Sequence, residues 1–301
     1  MQYIGRFAPS PTGPLHFGSL VAAVASYCDA KLNQGKWLLR LEDLDKPREI
    51  PGATDIILQQ LDAFGFEWDG EIVRQSQRNH YYAQALDNLH NQHLIYPCTC
   101  TRKEIADSSN LIGIDGFIYP KTCLEYPLKT NKKPALRIRV NNSEITFHDA
   151  IQGDIHQNLQ NEVGDFVIKR ADDLFTYQLA VVVDDAAQGV THVVRGADLL
   201  NSTPRQIYLQ QCLTLPTPHY AHMPIARNAA GEKLSKQTLA KPIDATLSAQ
   251  QLFEALQFLG QKAPTDLQFA SLPEIWQWAI AHWQRRLIPA QDSTFKHYAD
   301  I

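Results

Sequence analysis

No apolar run in this sequence approaches the roughly 20 residues that a bilayer-spanning helix requires. The longest, 20–28 and 179–183, fall far short, which excludes a helical membrane protein. Low-complexity tracts and internal repeats are missing as well, so collagenous, linker-like and solenoid architectures drop out. The opening residues, Met1-Gln-Tyr-Ile-Gly-Arg6, lack a basic segment followed by an apolar stretch and a small-residue cleavage site; the expectation is a cytoplasmic protein. Cysteine is scarce, five in 301 residues. The count is odd, and Cys98, Cys100 and Cys123 cluster while Cys28 and Cys212 sit in apolar helical patterns. That points to a metal site and not to a disulfide framework. A strong excess of one charge sign is absent too. The formal net charge of -4 argues against a non-specific DNA coat and leaves room for a local basic face that holds RNA.

What is present is an ordinary globular composition, 44% apolar and 20% charged, enough for a large domain with one or two appendages. Residues 2–7 read as a strand, 8–14 as a Pro/Gly/Ser turn, 20–32 as an apolar-faced helix and 37–41 as a second strand. This is a βαβ unit, which binds ligands outside the carboxyl ends of its strands. Two amphipathic helices follow, 51–65 with Ile56, Ile57, Leu61 and Phe64 on one side, and 78–93. From 97 to 161 the pattern turns irregular and reads as an insertion, with one strand at 135–140 carrying Arg137 and Arg139. Strand patterns resume at 166–169 and 192–194 around 176–183, and a helix over 204–213 takes Thr203 as its cap and Pro204 in its first turn. The domains expected are 1–96 and 162–241 as halves of one catalytic domain, 97–161 as an inserted lobe, and 242–301 as a short helical region. Its tryptophans, Trp276, Trp278 and Trp283, stand at spacings that usually pack a core.

The most informative string is Arg6-Phe-Ala-Pro-Ser-Pro-Thr-Gly-Pro-Leu-His16-Phe-Gly18-Ser19. His16 and Gly18 stand just before a helix N-terminus, where backbone amides and an imidazole can meet a nucleotide phosphate. The stretch resembles the first signature of class I aminoacyl-tRNA synthetases of the glutamyl/glutaminyl branch. There the HIGH motif reads His16-Phe17-Gly18-Ser19, with Ser19 in place of the family's second histidine. Gly231-Glu-Lys233-Leu234-Ser235-Lys236 is similar to the KMSKS loop, whose lysines neutralise charge as the α-phosphate is attacked. Asp172 to Ala180 and Val193 to Leu200 also resemble the glutamyl branch. The resemblance implies a Rossmann-type catalytic domain. It implies glutamate binding by Arg6, Ser10, Glu42, Tyr177 and Arg195, ATP binding by His16, Gly18, Ser19, Lys233, Ser235 and Lys236, and catalytic roles for His16, Lys233 and Lys236. Charge chemistry agrees, since guanidinium pairs suit the two carboxylates of glutamate and Glu42 suits its ammonium.

Cys98-x-Cys100 followed by Tyr119-x₃-Cys123 is a candidate closed, structural zinc site inside the irregular lobe. About sixty residues follow Lys241, too few for the anticodon-reading region of glutamyl-tRNA synthetases. A truncated core of this kind resembles the glutamyl-queuosine tRNA(Asp) synthetases. That resemblance implies activation of L-glutamate by ATP with Mg²⁺, without tRNA, and transfer to queuosine in the anticodon of tRNA(Asp) by a monomer. The inserted lobe would grip the RNA with Arg137 and Arg139 among its phosphate contacts. A minimal glutamyl-tRNA synthetase charging the 3′ end, and a non-catalytic RNA-binding paralogue, are the competing readings.

Overall fold

The computed structural model describes residues 2–227, 241–290 and 293–294. Its first unit is the βαβ motif: strand Ile4–Phe7, helix Phe17–Leu32 and strand Lys36–Leu41. The helix begins three residues before the apolar periodicity does, because His16 caps it: its ring Nδ1 accepts the amide of Ser19 at 3.4 Å. At the other end Gly35 lets the chain double back against Tyr3, since a Cβ there would lie 2.4 Å from the Tyr3 carbonyl oxygen.

The two strands pair in parallel, and Val73–Arg74 extends the sheet beyond Lys36–Leu41. On the opposite edge of Ile4–Phe7 lies His192–Gly196, joined by the Thr191 amide donating to the Ile4 carbonyl and the Ile4 amide donating to Thr191 Oγ1, both 2.9 Å. His219–Met223 and then Glu144–Asp149 continue the sheet in parallel, and Gly153–Asn158 closes it antiparallel. Strand order therefore reverses between Ile4–Phe7 and His192–Gly196, the switch point at which such sheets open a ligand crevice. Arg6, Glu42 and Arg195 stand at the carboxyl ends there.

Several expectations change. The stretch 97–161 is not a separate insertion throughout: Glu144–Asp149 joins the catalytic sheet, with Asp149 opposite Tyr220. Ile95–Cys98, Ala135–Ile138 and Phe166–Lys169 form a three-stranded antiparallel sheet of their own. The helix starting at Thr203 is preceded by Ser202 in cap position, and the Thr203 side chain turns inward to Arg195. Ile56 is 42% exposed while Ile57, Leu61 and Phe64 are buried, because the helix Ala53–Ala63 rotates Ile56 off the apolar face. Arg137 is buried, donating to the Asp165 carbonyl at 2.8 Å and lying over the Tyr119 ring. It is a structural tie unavailable to phosphate, whereas Arg139 is exposed.

The C-terminal helices Ser248–Phe258 and Leu272–His282 are part of the first hydrophobic core. Trp276 donates to the Phe64 carbonyl at 2.8 Å and Trp283 to Asp29 at 3.1 Å, so both indoles are consumed by packing. Among the described residues no helix is long and apolar enough to cross a membrane.

Candidate active site

A cavity of about 320 Å³ opens at the switch point. Its wall gathers the described residues that the sequence singled out. Arg6 and Ser10 come from the first strand and turn, and His16, Gly18 and Ser19 from the helix start. Glu42, Tyr177 and Arg195 complete the set. The helix Phe17–Leu32 has no acidic residue in its first turn, so its positive dipole end is left for an anion. With Nδ1 accepting the Ser19 amide, the His16 proton sits on Nε2. The imidazole thus caps its helix.

Lys233, Ser235 and Lys236 lie outside the described residues. Of the residues flanking 228–240, Ala226 lines the cavity, and Pro242 forms a β-bridge with His16 while the Ile243 amide donates to the Leu15 carbonyl at 2.9 Å.

Of the charges at or behind the wall, four form one group and Arg195 stands apart, while Asp198 also lines the cavity. Arg6, Asp185, Arg40 and Glu42 form one buried chain. Asp185 accepts from Arg6 Nε at 3.3 Å and Arg40 Nη1 at 2.7 Å, and Arg40 Nη2 donates to Glu42 at 3.3 Å. Two guanidiniums offset two carboxylates. Burial alone would raise the Asp185 carboxyl, but the Arg6 and Arg40 charges outweigh it and hold the group below its usual range. Burial prevails at Glu42, which is raised despite Arg40 and Arg6, as suits a carboxylate waiting for a cation.

Arg195 is different. It is 5% exposed, and its described partners are all neutral: His222 Nε2 at 3.0 Å, the Tyr177 hydroxyl at 3.1 Å, Thr203 Oγ1 at 2.9 Å and Gln206 Oε1 at 2.8 Å. Tyr177 remains a phenol because burial raises it. A buried cation without a carboxylate partner is costly unless an anion arrives from outside. Sequence reasoning missed Arg40, Asp185, Asp149 and His222. The available signal was charge interrupting apolar runs, Arg40 within Trp37-Leu-Leu-Arg-Leu41 and Asp184-Asp185 after Val181-Val-Val183.

A second cavity of about 620 Å³ adjoins the first, sharing Ser10, Thr12, Glu42, Tyr177 and Leu199. Leu174 and Phe175 give it an apolar patch, and Asp43, Asp45, Arg48 and Arg170 a charged one.

In the lobe, the sulfurs of Cys98, Cys100 and Cys123 all lie within 4.8 Å of one another, and Cys100 and Cys123 are 3.5 Å apart. Tetrahedral thiolate ligation of zinc separates sulfurs by about 3.8 Å, so the trio fits that ion. The Tyr119 hydroxyl stands 3.9 Å from Cys100 Sγ and accepts the Cys123 amide at 2.8 Å, in place for a fourth ligand. Without a metal, burial and the hydrogen bond to Cys123 push the Cys100 thiol up to about 11. Burial of Cys123 is outweighed by hydrogen bonds led by that of Tyr119, holding it at about 7. Crowded thiols sharing protons are what a divalent cation relieves.

The family model for tRNA synthetases class I (E and Q), catalytic domain, matches residues 4–258. The chain is 56% identical over 290 residues to the glutamyl-Q tRNA(Asp) synthetase of Dechloromonas aromatica (strain RCB), covering 96% of each chain. It is 54% identical over 288 residues to that of Chromobacterium violaceum, again covering 96% of each. Its fold is similar to the crystal structure of glutamate-tRNA synthetase from Elizabethkingia anophelis, with TM-score 0.78 and 24% identity over 99% of this chain and 68% of that one.

Proposed function

The chain belongs to the glutamyl-Q tRNA(Asp) synthetase family within the class I tRNA synthetases (E and Q), and from this we propose that it activates L-glutamate with ATP and transfers it to queuosine of tRNA(Asp). The observation that carries the amino-acid half is Arg195, a buried guanidinium on the cavity wall with neutral partners. It stands beside a charge-balanced Arg6-Asp185-Arg40-Glu42 chain. Arg6 and Arg195 take the two carboxylates and Glu42 takes the ammonium.

The α-carboxylate attacks the ATP α-phosphorus and pyrophosphate leaves. His16 and the first amides of its helix hold phosphate oxygens, Lys233, Ser235 and Lys236 bind the ATP, and Lys236 and Lys233 neutralise the developing charge. Mg²⁺ accompanying ATP supplies further charge neutralisation. None of these residues is a nucleophile, which suits a reaction driven by positioning. A queuosine hydroxyl then attacks the adenylate, releasing AMP, with the unstacked base entering through the second cavity against Phe175. Exposed Arg102, Lys103 and Arg139 offer phosphate contacts on the lobe.

Because no described wall residue needs RNA to be placed, glutamate-dependent pyrophosphate exchange is expected without tRNA. Glutamate should be favoured over glutamine by about 30-fold or more, the cost of leaving a buried charge unpaired. Exchange that needs tRNA, or that prefers glutamine or aspartate, overturns this reading.

Zinc bound by Cys98, Cys100, Tyr119 and Cys123 would be structural, tying the strand Ile95–Cys98 to the helix Thr122–Glu125, with no open position for a water. Elemental analysis should find one zinc per chain, and Cys98→Ser should remove it and lower the melting temperature by several degrees. Unchanged metal content in that variant contradicts the site. The enzyme is expected to work in the cytoplasm as a monomer.

A further inference from the structure

We propose that Asp149 and His222 are positioning residues for substrate recognition, acting through Arg195. The proposal rests on the reading of Arg195 as the partner of a glutamate carboxylate.

His222 is fully buried on the strand His219–Met223, one place along the sheet from Arg195. Asp149, at the end of the neighbouring strand Glu144–Asp149, accepts twice from it: the backbone amide at 3.0 Å and ring Nδ1 at 2.6 Å. The Asp149 carboxylate also accepts the amides of Ile151 and Gln152 at 3.0 and 2.9 Å, so it is ionised and cannot rotate away. A carboxylate only accepts, hence the His222 proton is on Nδ1 and the Nε2 lone pair faces outward. That lone pair receives Arg195 Nε–H at 3.0 Å. The guanidinium is thereby fixed through its Nε, which turns Nη1 toward Tyr177 at the cavity wall and Nη2 toward the buried Thr203 and Gln206.

Neutrality of His222 is essential to the arrangement. A carboxylate in direct contact with Arg195 would satisfy its charge and compete with the substrate. A histidine cation would repel it. The neutral imidazole orients the arginine while leaving its charge for the ligand, and Asp149 selects the one tautomer that can do so. His222 itself adopts about 4 for its titration, chiefly from burial and partly from the Arg195 charge, with Asp149 opposing.

The test is glutamate-dependent pyrophosphate exchange with three variants. His222→Leu removes the acceptor and His222→Gln restores an oxygen near the Nε2 position. Asp149→Asn keeps the volume but donates to Nδ1, forcing a proton onto Nε2 opposite Arg195 Nε–H. The expected result is a rise in the glutamate KM of about 10-fold or more for His222→Leu and Asp149→Asn. The ATP KM should stay within about twofold, and His222→Gln should recover most of the loss. Equal behaviour of the Leu and Gln variants, or an ATP KM rising in step with that for glutamate, overturns the proposal. Circular dichroism confirms that each variant is folded, and the near-isosteric Asp149→Asn and His222→Gln keep the comparison usable if His222→Leu is not. Wild-type protein without any glutamate-dependent exchange would instead overturn the proposed function, and this inference with it.

Discussion

Arg195→Ala is expected to lower kcat/KM for glutamate in pyrophosphate exchange by about 30- to 5,000-fold, corresponding to about 2–5 kcal/mol for truncating a buried, hydrogen-bonded charge. Two losses combine. The substrate carboxylate no longer meets a cation in a desolvated wall, and His222 Nε2, Tyr177, Thr203 and Gln206 lose the donor that now satisfies them. Arg195→Lys should fall between wild type and alanine. An ammonium retains the charge but cannot reproduce a fork whose Nε and two Nη groups address different acceptors. The ATP KM should change little in either variant, because the helix N-terminus that begins at Phe17 belongs to another element of the cavity. Activity of Arg195→Ala within about threefold of wild type would remove Arg195 from the binding site, since a single lost neutral hydrogen bond already exceeds that.

The parts of this site that were legible in the sequence are those that local chain direction determines. A strand, a Gly/Pro turn and a helix place Arg6 and His16 at a carboxyl-end crevice whatever the remainder of the chain does, and Glu42 and Arg195 follow from the ends of their own strands. The supporting charges were not legible, because their partners are set by long-range register. Asp185 meets Arg6 across 179 positions and Arg40 across 145. Asp149 meets His222 across 73. The strand Glu144–Asp149 did carry a signal, the alternation of Ile145 and Phe147 with polar neighbours. Its membership of the catalytic sheet depends on one register pair with the strand His219–Met223, which no local pattern encodes. Arg137 failed as an RNA contact for a similar reason. Strand alternation says which residues share a face, but only packing against Tyr119 and the Asp165 carbonyl says which face is inside. The cysteine trio was legible because two of its members are two residues apart and the third follows Tyr119 closely, so little chain had to fold to bring them together.

The largest expected contrast concerns the acceptor. The second cavity adjoins the first, sharing Ser10, Thr12, Glu42 and Tyr177, so on the proposed reading an RNA group that enters it reaches the adenylate. A splayed base bearing its own hydroxyls fits a cavity of about 620 Å³ with an apolar patch at Leu174 and Phe175. Guanosine at the same anticodon position has no cyclopentene hydroxyls to attack with, and the reaction should then have no acceptor, whatever the affinity for the RNA. Binding and transfer are expected to separate. Phosphate contacts from Arg102, Lys103 and Arg139 act on both RNAs alike and weaken with salt, while glutamyl transfer distinguishes them completely.

The most direct test incubates the enzyme with ATP and labelled glutamate and either tRNA(Asp) carrying queuosine or the same RNA carrying guanosine at that position, and then removes the 3′-terminal adenosine enzymatically. The account predicts label in the queuosine RNA alone, retained after the 3′ adenosine is gone. Equal incorporation into both RNAs, or label lost with the terminal adenosine, would contradict it and identify the enzyme as one that charges the tRNA 3′ end.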